Sequence, residues 1–351
     1  MESRPKKKLN RLFRRNEPYI TLVLIALGLL IQYRSGQFFT ANNLVSLASA
    51  LIVPGLFAIG TYLVLVSGGI DVSFPALASL SVYVSTVSLI TIGYEGGAWL
   101  AFLLATVVGA LLGAFNGLFV GVFKLPTLIV TLGTTYVFRG VMQGVLDSVQ
   151  WATIPVGMRA FGTTALFTAR NPVTGNAARM PAAFLIFLLV LVLVSLMMRF
   201  TMFGRSIYAI GGAEVSAIRA GYNVRRTKVL IYVIVGIIAS VAAVIRVSMM
   251  QQLHPTNMLG MELRVIAGVV LGGISITGGK GSLFGAMVGT ILMVVVVNSM
   301  ILLGIPTSWR SVFTGALIII GTGISAQQVV DRYRGKRSLF FKRRATQRGA
   351  A

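Results

Sequence analysis

Long apolar stretches, broken by glycine, proline or charge, recur along this chain from Tyr19 onward. A helix needs about 20 apolar residues to cross a hydrocarbon core. The stretches predict about ten spans, near 19–34, 42–66, 72–92, 97–123, 125–147, 180–198, 229–250, 262–279, 283–303 and 309–326. The fold class expected is all-α, a polytopic transmembrane helical bundle. Two joints leave alternatives open. At Gly68-Gly69, and in the Gly-rich stretch 262–285, a broken or re-entrant helix competes with a plain turn.

Two longer segments separate these spans, 148–179 and 199–228. The first is too short to be a receptor domain. In the second, Gly211-Gly212 marks a break, and Ala213 to Ala220 reads as a short helix that stops at Gly221. Glycines recur at small-xxx-small spacing at Gly109, Gly113 and Gly117, which lets helices approach closely in lipid. A faint internal echo pairs Gly68-Gly69-Ile70 after Val64-Leu65-Val66 with Gly272-Gly273-Ile274 after Val269-Val270-Leu271, as a duplicated half leaves in many transporters.

Composition supports the pattern. Of 351 residues, 56% are hydrophobic and 11% charged, against about 25% charged in soluble domains, which excludes a soluble globule. The net charge of +23 is gathered in three clusters: residues 4–15, 199–228 and 332–348. The positive-inside rule puts all three in the cytoplasm, so both termini are cytoplasmic and the number of spans is even. The organisation expected is a basic tail over 1–18, a transmembrane domain over 19–326 with a cytoplasmic loop at 199–228, and a second basic tail over 327–351. Such tails point to anionic lipid rather than to nucleic acid. No small-residue cleavage site follows Tyr33, so the first apolar run reads as a retained span.

The chain has no cysteine and one histidine, His254, which excludes disulfides, thiolate sites and His-pair metal motifs; no metal site is expected. The run from Gly272 to Gly281 approaches a phosphate-binding Walker loop but has Ile274 and Gly281 where that loop needs Gly and Ser or Thr. Any nucleotide-driven cycle therefore needs a separate ATPase chain. Asp71 stands at the end of a long apolar run and has two readings. It caps the next helix through the amides of Ser73 or Phe74, or it is a pathway or coupling carboxylate. Asn116, Asn298, Thr131, Thr134 and Thr135 lie inside expected spans. They bond helix to helix, or they line a path for a neutral polyol.

Four stretches together resemble one family. Ser67-Gly68-Gly69-Ile70-Asp71-Val72-Ser73 is similar to the SGGIDLS segment of bacterial ABC importer permeases for ribose, xylose, galactose and similar sugars. Lys124 to Thr134, with Arg139-Gly140, resembles that family's K-(I/L)-P-x-(F/L)-I-(V/A)-T-L-G…R-G run. Gly204 to Gly212 resembles G-R-x-(I/V)-Y-A-I-G-G, and Glu262 to Gly273 resembles E-L-x-A-I-A-x-V-V-(L/I)-G-G. Gly68, Gly69, Glu262, Gly272 and Gly273 are thereby motif residues.

The resemblance implies a permease subunit, itself no enzyme, in the bacterial cytoplasmic (inner) membrane. Its implied partners are a cytoplasmic ATPase that holds ATP and Mg, an extracytoplasmic substrate-binding protein, and a second permease subunit, identical or not. It also implies an ATPase-docking helix after Gly211 and Gly212. There Gly221 matches the motif glycine, Ala217 is the one residue kept from E-A-A, and Glu214 stands one residue early. The solute expected is a monosaccharide or a related small polar molecule. The alternatives are a nucleoside or autoinducer-type furanose, or a proton- or ion-coupled secondary transporter using Asp71.

Overall fold

The computed structural model describes residues 17–171, 175–317, 319 and 323. Its elements are α1 (Glu17–Ser35), α2 (Ala41–Val66), α3 (Phe74–Thr91), α4 (Trp99–Gly117), a π-helical turn (Leu118–Val122), α5 (Thr127–Gly144) and α6 (Val156–Thr163). There follow β1 (Ala165–Arg170), β2 (Ala177–Pro181), α7 (Ala183–Phe200), α8 (Met202–Gly212), α9 (Glu214–Arg219), α10 (Val224–Met250), α11 (Glu262–Leu271) and α12 (Leu283–Leu302). A 3-10 turn at Thr307–Trp309 leads into helix at 310–317. The basic tails lie outside the described residues apart from Glu17 and Pro18, and so do 318, 320–322 and 324–326 of the expected span 309–326.

Among the described residues, 7 helices are long and apolar enough to cross a membrane: α1, α2, α3, α4 with its π turn, α7, α10 and α12. Helix α5 is as long as α3, but its threonines, glycines and Arg139 dilute its apolar content. The expected span 262–279 is broken. Helix α11 has 10 residues, about 15 Å of rise against a core of about 30 Å. Residues 272–282 follow it as non-helical chain. Two further departures concern the loops. Asn223 caps α10 by accepting from the Arg226 amide at 3.0 Å, so the helix takes in the basic residues Arg225, Arg226 and Lys228 ahead of its apolar run. Segment 148–179 carries α6 and an antiparallel β-hairpin in an otherwise helical fold.

The centre of the bundle is α2, buried from Gly55 to Val66 and packed against α10, α12, α7 and α11. The closest helix pair is α4 with α10, and glycine sets the distance. A side chain at Gly113 would strike the Tyr232 carbonyl, and one at Gly117 would lie 2.9 Å from the Val229 Cα. Gly109 faces Gly236 and Ser240, and Gly121 faces Arg225, so the run of small residues is one continuous antiparallel contact.

Helices α2, α3, α9, α11 and α12 end alike, with paired bonds back to the last turn and a glycine at positive φ. In α2 the amides of Gly68 and Gly69 reach Leu65 and Val64; in α11 those of Gly273 and Ile274 reach Val270 and Val269. Gly68 at φ +89° and Gly273 at φ +88° hold conformations that a Cβ penalises. The internal echo is thus two equivalent helix stops on helices that run the same way, one register step from the alignment read in sequence.

The bundle has two distinct ends. Helices α8 and α9 lie at one, with the stop of α2 and residues 274–281. At the other lie α6, the hairpin and the start of α11.

Candidate functional site

At the α9 end, three chain segments meet backbone to backbone. The Gly279 amide donates to the Val66 carbonyl at 2.8 Å. Side chains at Gly278 and Gly279 would come within 2.6 Å of the Gly68 and Gly212 Cα atoms, and one at Gly211 would run into Val66. The predicted motif glycines Gly68, Gly211 and Gly212 therefore converge. A hydroxyl relay spans the same elements: Tyr208 donates to the Gly281 carbonyl at 2.9 Å, so Tyr62, 2.7 Å away, donates to Tyr208.

Helix α9 sits outside this knot. Lys228 at the base of α10 pairs with Glu214 at 2.7 Å, which gives the displaced acid a partner that the sequence did not suggest. Ala217 is buried against Tyr222, and the bonds from Tyr222 to Ala217 and from Gly221 to Ile218 close the helix at a glycine of φ +84°. Val215 and Ile218 stand 63% and 54% exposed, an apolar surface with no cover in this chain among the described residues. A cavity of about 190 Å³ lined by Thr127, Glu214, Lys228, Tyr232 and Thr277 lies behind it.

Several buried polar residues gather around the non-helical segment that follows α2. Asp71 is 3% exposed, and its carboxylate accepts from both the Ser73 amide and the Ser73 hydroxyl at 2.7 Å. The acceptor expected of Asp71 is there, but it closes a turn ahead of α3, whose cap position falls on Ser73. Asn116 donates to the Ser73 hydroxyl at 2.8 Å. Thr131 accepts from the Val72 amide at 3.3 Å, and Thr135 donates to the Thr131 carbonyl at 2.6 Å; Thr134 donates to that same carbonyl at 3.3 Å. Asp71 and Thr131 thereby supply partners to backbone that has left the helix inside an apolar bundle. Arg139 pairs with Glu262 at 3.8 Å and not with Asp71.

The hairpin end is open by comparison. One cavity of about 390 Å³ is lined by Ser46, Ser49, Arg179, Arg246, Met249 and Met261 among others. A smaller one of about 100 Å³ adjoins it through Ala50, Pro54 and Met261 and reaches Arg264, Thr290 and Asn298. Of the residues singled out in the sequence for a solute path, Asn298 lines this space, with its side-chain amide bonded to Val294 at 2.9 Å. Arg179, Arg246 and Arg264 were missed. The signal that finds them is cations at the end opposite the basic loop, where the positive-inside rule disfavours them. Motif residue Glu262 lies here as well and accepts from the Gly260 amide at 2.9 Å.

A sequence profile of the family described as "Branched-chain amino acid transport system / permease component" matches residues 43–321. The chain is 31% identical over 299 residues to the ribose import permease protein RbsC of Escherichia coli (strain K12), covering 85% of this chain and 89% of the relative. It is 32% identical over 311 residues to the probable ABC transporter permease protein YphD of the same strain, covering 87% and 88%. It is 29% identical over 301 residues to the autoinducer 2 import system permease protein LsrC of Yersinia enterocolitica, covering 86% and 79%. No solved structure matches. With the profile spanning most of the chain and the ribose relative aligned nearly end to end, the chain belongs to the ABC importer permease family that these proteins share.

Proposed function

We propose that this chain is the transmembrane permease subunit of an ATP-driven importer, moving a monosaccharide or a related small polar solute across the bacterial cytoplasmic (inner) membrane. The observation that carries the coupling part of this reading is α9. It is a short helix outside the bundle with exposed Val215 and Ile218, tied through α8 to the stop of α2 and to residues 274–281. A push on α9 reaches two crossing segments through backbone contacts that have no slack. ATP and Mg belong to the partner ATPase that docks there. A binding protein delivers solute at the hairpin end, and a second permease subunit completes the pathway.

On this reading the chain crosses ten times. The seven apolar helices, α5, α11 with 272–282, and the helix beginning at 310 make up the count, with both tails and α9 in the cytoplasm. The absence of native cysteine gives a clean topology test. Val215→Cys should label from the cytoplasmic side and Thr168→Cys from outside, both being exposed; labelling from one side alone refutes the arrangement. Coupling is tested by reconstituting the permease with its ATPase and binding protein. Uptake should require ATP and survive a protonophore. Val215→Asp with Ile218→Asp should abolish solute-stimulated ATP hydrolysis at equal assembly of the permease.

A further inference from the structure

The cavity at the hairpin end carries charge that a neutral sugar does not need. Arg179 and Arg246 line its larger chamber and Arg264 its smaller one. Arg246 feels the positive charge of Arg264, and Arg264 that of Arg310, which the nearby Glu262 offsets in part. The Arg246 Nε donates to the Asn257 side-chain oxygen at 2.9 Å, a neutral partner that leaves its charge uncompensated. Among the described residues, none of Arg246, Arg264 and Arg310 has a carboxylate within 4.0 Å. Among the described residues, the one ion pair at this end joins Glu262 to Arg139. The Arg310 Nε is buried and without a hydrogen-bond partner.

Clustered, half-buried guanidiniums repel, and each costs free energy to desolvate unless an anion joins them. Arginine is also the side chain whose planar fork fits carboxylate and phosphate. Asn298 and Thr290 in the adjoining chamber, with Ser46 and Ser49 in the larger one, offer the neutral donors and acceptors that hydroxyl groups use. We propose that the imported solute is an anionic polyol, a sugar-sized molecule bearing a carboxylate or phosphate, and that Arg246 and Arg264 receive its charge at the mouth of the pathway. This rests on the permease reading above and narrows its solute class.

The test uses the full-length chain in neutral detergent, where no anionic lipid competes, with sodium gluconate and glucose as probes and ionic strength held constant by sodium chloride. Gluconate should raise the melting temperature by several degrees and glucose by less than a quarter as much. Arg246→Gln and Arg264→Gln should each remove most of the gluconate shift. Arg264→Lys should restore part of it, and Arg205→Gln at the opposite end should leave it intact. Equal shifts from the two probes, no shift from gluconate, or a gluconate shift unchanged in both glutamine variants overturns the proposal. A transport arm separates this from failure of the broader reading. In proteoliposomes with ATPase and binding protein, aldose and aldonate pairs are compared. Aldonate uptake with a KM raised at least tenfold in Arg264→Gln supports the anion site. ATP-driven uptake of the aldose alone, indifferent to the arginine variants, overturns it and leaves the importer standing. ATP-independent uptake, abolished by a protonophore, refutes the importer itself.

Discussion

The two ends of the bundle solve opposite problems. At the α9 end, Gly68, Gly211 and Gly278 let three backbones touch, and Asp71, Ser73, Thr131 and Thr135 partner one another or nearby main chain. At the hairpin end, α11 starts beside a cavity of about 390 Å³, and Arg246 and Arg264 lie near one another with no carboxylate within 4.0 Å of either among the described residues. Close packing transmits displacement, because packed interiors are nearly incompressible. Space lined by uncompensated charge admits a solute, because binding there relieves a cost that the empty site carries. An importer driven from one side and loaded from the other needs both, and separating them lets each end specialise.

The largest effect expected from breaking this contrast is steric. Gly113→Leu drives a side chain into the Tyr232 carbonyl, a backbone atom that cannot swing aside. Overpacking of this kind costs about 3 kcal/mol or more. The variant should be lost from membranes or appear as aggregate in size-exclusion chromatography. Gly133→Leu is the matched control, since nothing lies within 4 Å of a Cβ there, and it should accumulate like the parent. Equal abundance and monodispersity for the two would refute the close contact of α4 with α10.

Next in size is the closure of α9. Gly221 at φ +84° has open space around it, so Gly221→Val is penalised by its backbone and not by collision. The cost is about 1 kcal/mol or more, confined to a helix outside the bundle. The permease should assemble normally yet stimulate its ATPase several-fold less, measured as solute-dependent ATP hydrolysis in proteoliposomes. Unchanged stimulation would show that the helix tolerates a frayed end and does not transmit.

The carboxylate of Asp71 comes third. Its two bonds from Ser73 require an acceptor but not a charge. Asp71→Asn should therefore keep uptake near the parental level. Asp71→Leu leaves the Ser73 amide and the Ser73 hydroxyl proton without their acceptor, at about 1–3 kcal/mol, and should lower the melting temperature. Loss of uptake in a well-assembled Asp71→Asn protein would show that the charge itself matters and would make the α9 end electrostatic as well as steric.

These expectations also show what sequence patterning could reach. Most of the membrane helices were legible because twenty apolar residues in a row have few other uses. The glycine run from Gly109 to Gly117 was legible as packing because spacing alone puts it on one helix face. For 262–285 the sequence left a broken helix and a plain turn both open, since Gly272 and Gly273 are apolar enough to extend a hydropathy window, and the structure breaks the helix at Gly273 by its conformation. Asp71, Asn116 and Thr131 were read one by one, and their meeting around residues 70–73 depends on three segments far apart in sequence. The arginine cluster was hidden for the same reason. Arg246, Arg264 and Arg310 each look like an ordinary residue near a span end, and only their juxtaposition makes a site.

The smallest effect expected is at Glu214 and Lys228, and it sharpens the comparison most. Their 2.7 Å ion pair looks like the fastening that holds α9 to α10. Yet the Glu214 side chain is 42% exposed, and pairs at such sites are worth about 0.2–1 kcal/mol, less as salt rises. If the α9 end is held by backbone contact and the buried Ala217, removing this charge pair should hardly matter. Glu214→Gln, Lys228→Met and the double variant form a cycle whose coupling energy, from melting in low and high salt, should stay below about 1 kcal/mol. Uptake should hold in all three. A coupling above about 2 kcal/mol, shrinking with added salt, would mean that charge rather than close packing fastens the driven end, and the two ends would then differ in what their charges bind and not in whether charge is used.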